Sequence, residues 1–190
     1  MISNIAKVSD SVSVSVQKAT GVDGQVKLGG VFHFKCFDKD GNLKWEDSTH
    51  NLVVNVGLKH LNDTFFSGSA YTATWYLGLV NASPSPSYAA ADTLASHAGW
   101  AETTAYTGNR KPVTFGAATT ADPSVITNSA VPSQFSMNAT VTVAGAFLAN
   151  VDTGTSGILF SVSSFQSPGN RNVVNGDTLS VTYQFSADAA

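Results

Sequence analysis

The chain has 190 residues, 43% of them hydrophobic and only 12% charged, with a formal net charge of −3; that composition excludes a disordered chain and fits one domain, or one domain with an arm. It offers no broad basic field for nucleic acid and no run of about 18 apolar residues to span a membrane, and its single cysteine, Cys36, forbids an internal disulfide. Ser and Thr together number 42 while Glu and Arg occur twice each, so good helix formers are scarce and strand formers abundant.

Met1-Ile2-Ser3-Asn4-Ile5-Ala6-Lys7 has neither the charged start nor the apolar run of a secretion signal. Ser11-Val12-Ser13-Val14-Ser15-Val16 alternates strictly, which puts Val12, Val14 and Val16 on one face of a strand. Its flanks, Ser9-Asp10, Gly21, Gly24 and Gly29-Gly30, are turn or linker chemistry. Residues 1–28 are therefore either an edge strand of the main sheet or an extended arm that pairs with another subunit; residues 29–190 form the body.

A hairpin is expected over 31–54. Val31-Phe32-His33-Phe34-Lys35-Cys36-Phe37 is its first strand, Asp38-Lys39-Asp40-Gly41-Asn42 its turn, and Leu43-Lys44-Trp45-Glu46 leads back, followed by Leu52-Val53-Val54. One short helix is expected at about 56–66, capped by Asn55 and ending near Ser67-Gly68, with Val56, Leu58, Leu61 and Phe65-Phe66 on its apolar side. Thr74-Trp75-Tyr76-Leu77-Gly78-Leu79-Val80 is a buried strand. Residues 81–111 read as a long irregular loop, and loops of that length are functional or interfacial. Asp92 caps one or two helical turns within it. Beyond it, strands are expected at 113–115, 125–128, 129–137, 139–143, 145–149, 158–165, 173–174 and 178–185. Short strands separated by Gly turns predict an all-β, antiparallel sandwich or jelly roll.

Few residue sets carry chemistry. Asp38-x-Asp40-Gly41-Asn42 has the acidic spacing of a calcium loop, but its Gly falls at position four and Thr49 stands where the closing Glu belongs, so a hairpin turn explains it. His33, His50, His60 and His97 show no ligand spacing with one another or with Cys36, so no metal site is expected. Asp92, His97 and Glu102 form the one acid–base set in the loop and lack a nucleophile motif. No phosphate loop or dinucleotide fingerprint occurs, so no cofactor is expected. Tyr88, Trp100 and Tyr106, with Arg110, bracket the loop; exposed aromatics mark interfaces or sugar platforms, and the alternative is that they pack the loop onto the sandwich. A surface rich in Ser, Thr, Ala and Asn suits a protein packed in a large assembly.

Asn51-Leu52-Val53-Val54-Asn55-Val56-Gly57-Leu58, leading through the helix into Trp75-Tyr76-Leu77-Gly78-Leu79, resembles structural proteins of tailed bacteriophages. So do the run from Tyr88 to Trp100, Thr140-Val141-Thr142-Val143-Ala144-Gly145-Ala146-Phe147-Leu148 and Val174-Asn175-Gly176-Asp177-Thr178-Leu179. The likeness covers roughly residues 31–187. It implies a virion component, a capsid cement or decoration protein made in the host cytoplasm and carried on the capsid exterior, with the major capsid protein as partner. Self-association as a dimer or trimer would match a lattice. The expectation is a non-enzymatic cement that contacts the shell through residues 1–28 and 81–111, with Val12, Val14, Val16, Tyr88, Trp100, Tyr106 and Arg110 at the interface. A tail or fibre component that stacks host glycan on Tyr88, Trp100 and Tyr106 is the second reading. A hydrolase using Asp92, His97 or Glu102 is the third.

Overall fold

The computed structural model describes residues 26–68, 74–165 and 169–189, and shows an antiparallel all-β, sandwich-like fold with one short helix. Val12, Val14 and Val16 lie outside the described residues. Strand β1 (Val26–Phe37) and β11 (Thr178–Ala189) pair along twelve residues each, from Val26↔Ala189 to Phe37↔Thr178. On the other edge of β11 lie β6 (Ser124–Thr127) and β7 (Ser133–Ser136). The period-2 pattern of β1 turns Phe32, Phe34 and Cys36 inward, where they meet Leu179, Val181 and Tyr183 of β11.

The expected hairpin forms, and its turn is built as its residues require. Gly41 takes φ +85, and the Asp38 carboxylate accepts the backbone N–H groups of Asp40 and Asn42 at 2.9 Å each. Hydrogen bonds from Asn42 hold this carboxyl below its usual range. The return arm is one strand, β2 (Leu43–Val53), where the sequence led us to expect two short ones. Tertiary partners keep its polar middle extended: Arg171 pairs with Asp47, the Thr49 hydroxyl donates to the Ser164 carbonyl, and Asn51 donates to the Tyr183 hydroxyl at 2.9 Å.

That strand also joins the two layers. Through His50 it pairs with β1; from Asn51 it pairs with β9 (Leu159–Ser163) instead. The second sheet continues from β9 to β8 (Val141–Ala149) and β3 (Tyr76–Asn81). β4 (Glu102–Thr103) and β5 (Lys111–Pro112) flank β3, and β10 (Arg171–Val173) flanks the start of β8. The stretches 139–143 and 145–149 thus merge into one strand, with a bulge at Ala144 where the register steps from Gly145↔Val80 to Val143↔Asn81. Residues 113–115 lie outside any strand.

Helix α1 (Asn55–Phe66) starts one residue earlier than expected. Asn55 is not its cap: the preceding position is Val54, no side chain caps the end, and the Asn55 N–H donates to the Ala90 carbonyl at 2.8 Å. Gly57 lets the helix lie against β9, since a Cβ there would sit 2.5 Å from the Phe160 carbonyl oxygen. The helix does end at Ser67, with Gly68 at φ +65.

Candidate functional site

The outer face of the second sheet has its own apolar cluster, made by Val80, Ala144, Phe147, Ala149, Leu159 and Val162 of the sheet with Leu94 and Trp100 of the loop. Residues 82–101 therefore form a third layer over that sheet, which is why β8 and β9 are buried on both faces. Trp100 fixes the layer. It is 4% exposed, packs on the Phe147 ring at 5.2 Å and donates its indole N–H to Asp92 Oδ2 at 3.0 Å. The same oxygen accepts the Ala89 N–H. Asp92 caps no helix; it cross-links the loop.

Arg110 closes the other end. Its guanidinium grips Glu102 with two bonds, Nε to Oε1 at 3.0 Å and Nη2 to Oε2 at 2.8 Å, and also donates to the carbonyls of Val151 and Gly154. It lies over the Phe147 ring at 5.1 Å. Tyr106, 3% exposed, meets Phe135 edge-on at 4.8 Å. Burial, and then the Glu102 charge, raises its phenol pKa. Tyr88 is half-buried beside Trp100, and burial pushes its phenol up to about 12.

These positions correct the reading of exposed aromatics. Trp100, Tyr106 and Arg110 are core groups that pack the loop onto the sandwich, so a partner would meet the loop's outer surface and not these side chains. The polar residues around them in sequence mislead because Thr104, Thr107 and Asn109 are themselves exposed while Trp100, Tyr106 and Arg110 turn inward. That outer surface consists of small uncharged residues: Ser87, Ala89, Ala90, Ala91, Ala95 and Ala98 are exposed. The acid–base set does not assemble either. Asp92 is bonded to Trp100, Glu102 to Arg110, and His97 stacks on the Trp100 indole at 4.1 Å with Nδ1 2.9 Å from the Thr93 carbonyl.

A second surface lies where the two sheets splay apart beside α1. A cleft of about 590 Å³ opens there, walled by Leu61, Trp75, Phe115, Ile126, Phe160 and Phe185 among others. A groove of about 200 Å³ adjoins it, shares Leu61, Trp75 and Phe160, and reaches Phe65. Phe65 and Phe66 are 79% and 77% exposed. They were expected on the packed side of α1, but the face that packs is Val56, Gly57, His60, Leu61 and Thr64, which leaves the doublet outside. The cleft itself was invisible in the sequence because its walls come from seven separate segments.

A buried polar set ties the β1–β2 hairpin to the turn before β11. Asp177, 2% exposed, pairs with Lys44 and accepts the Val174 N–H at 2.9 Å; the Cys36 thiol lies 3.6 Å away. Burial first, and Asp177 second, push the Cys36 thiol up to about 12. This set is structural. Comparison with family models, with curated proteins and with solved structures finds no match for this chain.

Proposed function

We propose that this chain is a non-enzymatic structural protein of a tailed-bacteriophage virion, a cement or decoration protein that binds the shell of the major capsid protein and stabilises it. The observation that carries this reading is the pinned third layer. Residues 82–110 are held by Asp92, Trp100, Glu102, Tyr106 and Arg110 in one conformation and turn a row of Ser and Ala outward. Such a surface binds with little ordering cost, because its backbone is already fixed and its side chains have almost no rotamers to lose. The same bonds occupy the acid–base residues, which weakens the hydrolase reading. The sequence resemblance over residues 31–187 and the sparse charge point the same way.

A cement acts by mass action: a ligand present at about 100 times its dissociation constant stabilises the state it binds by about 2.7 kcal/mol per site. Deletion of residues 1–20 should leave the melting temperature unchanged and weaken co-sedimentation with capsids. Full-length protein that fails to co-sediment with capsids would overturn the cement reading; truncated protein that binds as tightly as the full chain would overturn only the arm. The fibre reading has less support, since Trp100 and Tyr106 at 4% and 3% exposure present no ring face to a sugar. A glycan array tests it directly.

A further inference from the structure

We propose that two copies of this chain associate through the end of the sandwich where α1 stops, each seating its Phe65–Phe66 pair in the apolar groove of the other. Two adjacent phenylalanines at 79% and 77% exposure are an unusual cost for an isolated chain. Their rings meet edge-to-face at 4.9 Å and 77°, so they form a single projecting knob. The receptacle lies beside the knob. The 590 Å³ cleft and the 200 Å³ groove share Leu61, Trp75 and Phe160, and Phe65 itself forms the groove's lip.

The occupant follows from this placement. Knob and receptacle sit next to each other on one chain, so a twofold axis at the helix end satisfies both contacts at once and closes the assembly. Among the described residues, the walls of the cleft include no Asp, Glu, Lys or Arg, which fits an aromatic guest better than an ionic one. The nearest charges on α1, Lys59 and Asp63, pair with each other, so like charges do not face across the axis. The area is adequate. A phenylalanine buries roughly 150–250 Å², so the two rings, now mostly exposed, contribute roughly 300 Å² per copy. The groove walls they cover and the exposed Leu58 beside them bring each side toward the roughly 800 Å² of a standard interface.

This inference is independent of the capsid reading, because it concerns purified protein alone. Sedimentation velocity of the full chain over a wide concentration range should show a closed dimer. The double variant Phe65→Asp/Phe66→Asp should dimerise roughly 100-fold more weakly, about tenfold or more per buried ring; at concentrations where both proteins are monomeric its melting curve should match the parent's, because both rings are exposed in the free chain. Thr114→Glu, an exposed position on the cleft wall, should weaken the dimer from the receptacle side and keeps the test valid should the Phe variant misfold. A wild-type monomer at every concentration overturns the proposal. So does a dimer insensitive to both variants, an open-ended polymer, or native mass spectrometry that finds a monomer with a small apolar molecule in the cleft.

Discussion

Replacing Trp100 with alanine removes the ring that packs the third layer on Phe147 of the second sheet. Trp100 is 4% exposed and touches Phe147, His97 and Tyr88, so truncation should cost about 3–5 kcal/mol in transfer and cavity terms. For a domain of this size each kcal/mol lowers the melting temperature by about 2–4 °C, so Trp100→Ala should melt about 6–20 °C below the parent. Trp100→Phe separates the contributions. It keeps most of the packing and deletes the 3.0 Å bond from Nε1 to Asp92, a charge-assisted bond worth about 1.5–3 kcal/mol. Thermal melts followed by near-ultraviolet circular dichroism, with limited proteolysis of residues 82–101, read both the global loss and any local release of the layer. Should Trp100→Ala melt with the parent and resist protease equally, the loop is held by something other than this ring, and the fixed-surface reasoning falls with it.

Gly57→Ala should destabilise the fold: alanine gains about 1 kcal/mol of helix propensity, but its Cβ would sit 2.5 Å from the Phe160 carbonyl, and overpacking of about 1–3 kcal/mol wins. A raised melting temperature would show that α1 has room to shift. Cys36 should make stability fall at alkaline pH. The free thiol ionises near 9 and the folded one only near 12, so the stability it contributes is complete below 9 and is lost between 9 and about 12, at up to about 1.4 kcal/mol per pH unit. Denaturant titrations of Cys36→Ala should show a shallower decline over that window, and an identical slope would refute the assignment.

Much of the sandwich was legible in the sequence because it rests on local patterns. The alternation over β1 and β11 and the Asp-Gly turn describe short-range geometry; the turn forms where expected, and the strands cover the expected 31–37 and 178–185 but run on, β1 starting at Val26 within the stretch read as an arm and β11 reaching Ala189. What the sequence hid was decided by partners far along the chain. Asp47, Thr49 and Asn51 look like a break between strands until Arg171, Ser164 and Tyr183 arrive to bond them. Trp100, Tyr106 and Arg110 look exposed because their neighbours are Thr, Gly and Asn; Phe147, Phe135, Glu102 and the carbonyls of 151 and 154 take them inside. The Phe65-Phe66 doublet was hidden too: the helix period puts Phe65 on the face of Leu61, four residues back, yet both rings are exposed because the packed face stops at Thr64.

The pairing of Val26 with Ala189 decides how the molecule responds to force. Tension applied between these two neighbouring ends opens the β1–β11 ladder one rung at a time and meets little resistance. Tension transmitted from Val26 lengthwise along the strand, toward the Asp38–Asn42 turn, strains all twelve rungs together. A load applied at Val26 and resisted along β11 would act in that second, stronger direction.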